Sequence, residues 1–129
     1  MAEYINTLDI SVLVMDYDHN ARSLDELMNT HEPFYKTVRA AHPDLPIIMI
    51  SMPKYDLNER DYKRYLIIKN TYDNAVKAGD KNVYLIFGKE LLEGIESEGL
   101  CDGCHPNDLG FKAMAKGILP VIKKALGEA

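Results

Sequence analysis

The sequence predicts an α/β fold, a three-layer α/β/α sandwich around a parallel sheet, with residues 1–129 forming a single domain. Three short apolar runs, at 10–15, 46–52 and 83–87, have the composition and length of buried strands. Segments with apolar residues at helical spacing follow each run. Because strand and helix alternate through short connections, the strands are expected to pair in parallel through right-handed crossovers.

The first strand is predicted at Ile10–Met15, where apolar residues follow one another with almost no polar alternation. This pattern is typical of a central strand that is buried on both faces. The next helix begins around Ser23 and Glu26, whose spacing allows two side chains to bind free amides at a helix start. Pro33 predicts a kink or restart in this helix, which ends before Pro43.

The second strand begins at Pro46 and is closed by Pro53. A second helix is predicted from Glu59 to Ala78, with Gly79 as its stop. The apolar and aromatic residues of this helix are expected to face the core: Tyr62, Tyr65, Leu66, Tyr72 and Val76.

The last third of the chain contains the third strand, Val83–Phe87, and a short helix at Lys89–Ile95. After a loop at 102–108, a final helix runs from about Leu109 to Leu126. Its apolar stripe is expected to contain Phe111, Met114, Ala115, Ile118, Leu119 and Ile122. A doubly wound sheet usually has about five strands or more, so we expect that strands are missing in front of the first one.

Composition and charge exclude several classes of function. Fifteen Lys and Arg against twenty Asp and Glu give a net charge of −5, which would repel a phosphate backbone, so no nucleic-acid partner is expected. The first fifteen residues contain no Lys or Arg, and their apolar run is too short for a signal peptide or a membrane span. We therefore expect a cytoplasmic protein without a membrane partner, unless a signal was lost upstream.

One loop contains residues that are suited to acid–base chemistry. Asp102 and His105 stand three residues apart, with Gly103 and Pro106 around the histidine, and one turn of such a loop can fold the carboxylate onto the imidazole. A base oriented by a carboxylate is what a serine hydrolase requires beside its nucleophile. A single Asp in a loop is usually a turn or cap residue. The prediction of an acid–base pair therefore rests on Asp102 and His105 occurring together.

The segment from Asp102 to Phe111, Asp-x-x-His-Pro-Asn-Asp-x-Gly-Phe before an apolar helix, resembles the C-terminal block of SGNH hydrolases of the GDSL-like type. The resemblance implies a flavodoxin-like SGNH hydrolase fold, a small ester as substrate and no cofactor or metal. It also implies that Asp102 and His105 are the acid and base members of a Ser-His-Asp triad.

A second match follows the first strand. The residues from Asp16 to Asn20 are similar to an Asp-aromatic-x-x-Asn segment of one GDSL-like branch. The resemblance implies that the Asn20 amide donates to the oxyanion of the tetrahedral intermediate. The alternative is that Asn20 and Asp18 only form the turn into the next helix.

The resemblance covers nearly the whole chain but only the second part of the family's domain. The Gly-Asp-Ser block that carries the family's nucleophile is absent from the sequence, as is a later glycine that donates to the oxyanion. The serines of the chain are Ser11, Ser23, Ser51 and Ser97. Ser51 ends a strand, but no Gly-Asp pair precedes it. We therefore expect the isolated chain to be inactive, with an N-terminally truncated domain of about three strands.

Two other patterns overlap these motifs. The first strand followed by Asp16 and Asp18 fits haloacid dehalogenase-like phosphatases, in which the first Asp attacks phosphate, the second protonates the leaving group and magnesium lies between them. No acidic metal motif follows the third strand.

A c-type haem attachment site has the spacing of Cys101, Cys104 and His105, but such a site requires an exported helical protein.

A third alternative is a non-catalytic α/β module that associates with itself. Without the missing strands, Ile10–Met15 would be an apolar edge that lacks charges, prolines and bulges. Bare helix faces beside it would add an apolar patch. A two-fold homodimer through the first strand would cover both surfaces, and this is the partner that we expect. Alternatively, the first nine residues fold over the edge and keep the chain monomeric.

Overall fold

Three parallel strands form the sheet of the computed structural model, which describes residues 1–128. They are β1 (Leu13–Met15), β2 (Ile47–Ile50) and β3 (Val83–Ile86), in the order β1-β2-β3. All four residues of the central strand β2 are buried, as expected for an unbroken apolar run between two neighbours. The predicted α/β class and parallel sheet are therefore confirmed.

The strand β1 pairs on one side only. Its residues are in register with β2, whereas its other edge pairs with no strand of residues 1–128. Met15 is buried, but Val14 is 37% exposed. In this chain the strand that was predicted to be central, with both faces covered, is thus a short edge strand.

Helices cover both faces of the sheet. One face carries α2 (Leu24–Ala41) and α3 (Glu59–Lys77), and the other carries α4 (Asp108–Ala125). A single turn of helix, α1 (Ala2–Ile5), packs on α2. The core between the sheet and the α2–α3 layer includes Leu27, Val38, Ile47, Met49 and Ile68. The core under α4 includes Ile48, Ile50, Ile86 and Leu91.

The helix α2 begins as predicted, runs through Pro33 without a break and ends at Ala41, before Pro43 as expected. The Ser23 hydroxyl accepts a hydrogen bond from the Glu26 amide at 3.0 Å. The predicted restart at Pro33 does not occur, because buried side chains such as Leu27 and Val38 hold the helix against the sheet on both sides of the proline. This packing outweighs the loss of one backbone donor.

The predicted inner face of α3 is wrong in part, because Tyr72 packs against the core but three of the other residues do not. Tyr62, Leu66 and Val76 are 49%, 43% and 47% exposed. The buried stripe consists instead of Asp61, Arg64, Ile68, Thr71 and Ala75. Three of these five residues are polar, so the apolar pattern of the sequence indicated the buried side of the helix only in part.

The C-terminal elements follow the sequence prediction in part. The short helix expected at 89–95 is a 3₁₀ turn at Gly88–Leu92, and a second one lies at Glu96–Gly99. On α4, Met114, Ile118 and Ile122 pack on the core as predicted. Phe111 and Leu119 do not, since they are 58% and 52% exposed. No helix within residues 1–128 is long and apolar enough to cross a membrane.

Candidate active site

Asp102 and His105 lie in a tight hairpin that is closed by a bridge between Leu100 and Pro106. One oxygen of the Asp102 carboxylate accepts the backbone amides of Cys104, at 2.9 Å, and of His105, at 2.8 Å. The other oxygen lies 2.7 Å from Nδ1 of His105. The structure therefore brings the predicted acid and base into direct contact.

The contact favours the charged form of Asp102 and sets the tautomer of the neutral His105 ring. The backbone amide of His105, followed by its imidazole, lowers the pKa of Asp102 to about 2, so the carboxylate is charged at neutral pH. A carboxylate can only accept a hydrogen bond, so Nδ1 of His105 carries the proton and Nε2 is left as an acceptor. Both side chains are exposed, at 77% and 55%, which leaves Nε2 accessible to a hydroxyl nucleophile.

Asn20 ends a 3₁₀ turn at Asp18–Asn20 that follows β1. The buried Asp18 anchors this turn. Its carboxylate accepts hydrogen bonds from the Met52 amide, at 2.9 Å, and from Nε of Arg64, at 2.6 Å. Arg64 also donates to the carbonyl oxygens of Asp18 and Ala21. This buried ion pair, which the sequence analysis missed, ties the Asn20 turn to α3 and to the end of β2.

The same ion pair disfavours a phosphatase site at Asp16 and Asp18. Asp18 is 1% exposed and both of its carboxylate oxygens are engaged. It therefore has no access to a leaving group, which the haloacid dehalogenase pattern requires of its second Asp. No group of three or more metal-ligating side chains is found within residues 1–128.

The two candidate loops touch each other. Sγ of Cys104, in the hairpin, lies 3.5 Å from Nδ1 of His19, in the Asn20 turn. Asn20 is exposed and lines a groove, whereas Asp102 and His105 do not line it. Asn20 and His105 thus occupy neighbouring loops at the same end of the sheet, and their catalytic roles stay predictions.

The groove extends along β1 and has a volume of about 490 Å³. Its wall is mostly apolar and includes Ile5, Leu13, Val14, Tyr17 and Phe34. It therefore combines an apolar surface with the unpaired strand edge, next to the turn that carries Asn20.

Within residues 1–128, no hydrogen bond joins a serine to His105. Ser51 is 1% exposed and its hydroxyl accepts the Gly88 amide at 2.9 Å. Ser97 donates to Asp56 at 2.6 Å, and Ser23 caps α2. Ser11 precedes β1, at the opposite end of the strand from Asn20.

Residues 1–123 match the model of the GDSL-like lipase/acylhydrolase family. The crystal structure of a candidate GDSL-like lipase from Bacteroides ovatus ATCC 8483 is 33% identical, with a TM-score of 0.83. The match covers 99% of this chain and 40% of that one. A search of curated proteins found no match.

Two further solved structures share the fold. The salicylyl-acyltransferase SsfX3 from a tetracycline biosynthetic pathway is 19% identical, with a TM-score of 0.75, over 98% of this chain and 40% of that one. A family two carbohydrate esterase from Clostridium thermocellum is 16% identical, with a TM-score of 0.76, over 95% of this chain and 38% of that one. The chain thus spans about 40% of the length of these three proteins.

Proposed function

Because the chain belongs to the GDSL-like lipase/acylhydrolase family, we propose that it supplies the acid–base half of a carboxylic-ester hydrolase with a Ser-His-Asp mechanism. The observation that carries this proposal is the 2.7 Å contact between Asp102 and His105. Nε2 of His105 takes the proton of a serine hydroxyl and returns it to the leaving alcohol. Asp102 holds the imidazole in the required tautomer, and the Asn20 amide donates to the oxyanion.

The nucleophile in this proposal comes from outside the 129 residues, on a Gly-Asp-Ser segment. The hydrogen bonds of Ser51 and Ser97 and the position of Ser11 support this division of the site. The substrate is a small carboxylic ester. We also propose a cytoplasmic location, where Cys101 and Cys104 remain thiols, as they are in the structure.

The isolated chain is expected to show no sustained hydrolysis of p-nitrophenyl acetate and no labelling by a fluorophosphonate. A base and an oxyanion donor without a serine cannot form an acyl-serine intermediate. Both reagents are applied to the purified 129-residue chain. Stoichiometric fluorophosphonate labelling of Ser51, with turnover that is lost in Ser51→Ala, would show the prediction wrong.

A positive test joins the chain to the Gly-Asp-Ser segment of a family member. The fusion is expected to turn over p-nitrophenyl acetate, and Asp102→Asn to lower kcat by about 10⁴-fold through the wrong tautomer of His105. Asp108→Asn is the matched control, because Asp108 is an exposed residue that begins α4 after the same loop. Equal turnover in the two variants contradicts the role of Asp102.

We also propose that the chain self-associates through the edge of β1, as a non-catalytic function. Of the first nine residues, Ala2–Ile5 form α1, which packs on α2, and none of the nine pairs with β1 as a strand. The half-exposed Val14 and the apolar groove beside it are left for a second copy. Two copies related by a two-fold axis would pair their β1 edges into a six-stranded sheet.

Light scattering at micromolar concentration is expected to give a mass of twice 14.6 kDa. Val14→Lys is expected to give a monomer, because a charged side chain at an edge opposes strand pairing. Val76→Lys is the matched control, since Val76 is exposed on α3, away from β1. A monomer for the unmodified chain would exclude the dimer.

A further inference from the structure

Cys104 and His19 form a thiol–imidazole contact that the proposed hydrolase mechanism does not use. The two residues are 85 positions apart, and Sγ lies 3.5 Å from Nδ1, within the range for a hydrogen bond to sulfur. Each is held by its own loop. The Cys104 amide is bound to Asp102, and the His19 turn is anchored through Asp18 and Arg64. The contact is therefore between two fixed loops.

The surroundings of His19 favour an unprotonated ring that can accept a proton. Burial lowers the pKa of His19 below its usual 6.5. The charges of Asp18 and Asp16 oppose this shift with a smaller effect, and the still smaller effect of Arg64 acts in the same direction as burial. At neutral pH the imidazole is thus mostly neutral, as a general base must be.

The other cysteine of the loop lacks such a partner. Cys101 is exposed, and its amide donates to the His105 carbonyl at 2.8 Å, but its thiol contacts no imidazole within residues 1–128. Cys104 is half-buried, so it is reachable as well as paired. The chain therefore contains two thiols three residues apart, of which one has a base.

We propose that Cys104 is a nucleophilic thiol, with His19 as its base, that takes an acyl group from an activated ester or a thioester. Sγ attacks the carbonyl carbon while the thiol proton passes to Nδ1 of His19. The bond from the carbonyl carbon to the leaving oxygen or sulfur then breaks, and His19 returns the proton to that atom. The products are an S-acyl Cys104 and a free alcohol or thiol. No oxidant or metal is required.

The test uses the reduced full chain with p-nitrophenyl acetate, followed by peptide mapping with mass spectrometry. We expect one equivalent of p-nitrophenol in a burst and acetylation at Cys104, at a rate about tenfold or more above that of Cys101. The burst is expected to persist in Cys101→Ser, to vanish in Cys104→Ser, and to slow by about tenfold or more in His19→Asn. Circular dichroism checks that each variant is folded.

The pH dependence provides a measurement that needs no variant. The acylation rate of Cys104 is expected to rise with an inflection below pH 6.5, as His19 loses its proton. The rate of Cys101 is expected to show no inflection linked to His19, because its thiol contacts no imidazole within residues 1–128. Equal rates and equal pH profiles for the two cysteines overturn the proposal. Fluorophosphonate labelling reports serine alone, so a failure here is distinct from a failure of the proposed hydrolase role.

Discussion

The variant Arg64→Met is expected to lower the free energy of unfolding by about 3–5 kcal/mol, because it leaves the Asp18 carboxylate buried and unpaired. The side chains of Arg64 and Asp18 are 5% and 0% exposed, so water cannot replace the lost guanidinium without opening the core. Small domains have a total stability of about 5–15 kcal/mol, and a loss of this size removes a large share of it. The Asn20 turn would lose its anchor at the same time.

Urea unfolding at one fixed protein concentration measures this effect, since self-association would make the stability depend on concentration. Arg60→Met is the matched control, because Arg60 is an exposed arginine on the same helix, and its change is expected to stay within about 0.5 kcal/mol. The double variant Asp18→Asn with Arg64→Met is expected to recover part of the loss. Equal urea midpoints for Arg64→Met and Arg60→Met would contradict the assigned role of the ion pair.

Gly110→Ala is expected to destabilise the chain by about 1–3 kcal/mol, because a Cβ there would lie 2.1 Å from the carbonyl oxygen of Gly99. That oxygen is backbone and already accepts the Asn107 amide at 3.0 Å, so it cannot move without opening the start of α4. This close approach gives a physical reason for the glycine that follows the Asp102 hairpin.

Gly117→Ala provides the control within the same helix. Its Cβ would meet the tip of the Leu91 side chain, at 2.5 Å, and a side chain can change rotamer where a carbonyl cannot. The change also gains about 0.5–1 kcal/mol from the helix preference of alanine, so a near-neutral effect is expected. The urea midpoints of Gly110→Ala and Gly117→Ala test this difference. A Gly110→Ala midpoint at or above that of Gly117→Ala would refute the role of the close approach to Gly99.

Apolar runs predicted the sheet well because strands that are buried on both faces consist mostly of apolar residues. The four residues of β2 are apolar and buried, and the predicted segment contained them. The inner face of α3 could not be found in this way, because Arg64, Asp61 and Thr71 face inward. Each has a buried or partly buried partner, namely Asp18, Lys54 and His31. Such pairs leave no apolar periodicity to detect.

The acid and base of the candidate site were predictable because they are three residues apart in one loop. The anchor of the Asn20 turn was not, since Asp18 and Arg64 are 46 residues apart and either one taken singly is typical of a surface. The contact of His19 with Cys104 was missed for the same reason. Contacts between distant loops depend on the topology of the sheet, which places the ends of parallel strands side by side.

Four hydrogen bonds of the hairpin around Asp102 join residues no more than four positions apart. Ordering a backbone residue costs about 1–2 kcal/mol of conformational entropy, and here local bonds offset that cost before any other segment arrives. A segment that carries the nucleophile would meet an imidazole whose tautomer and direction are already set. Its binding free energy would not be reduced by the need to order this loop, so even a weakly held segment would find the base in place.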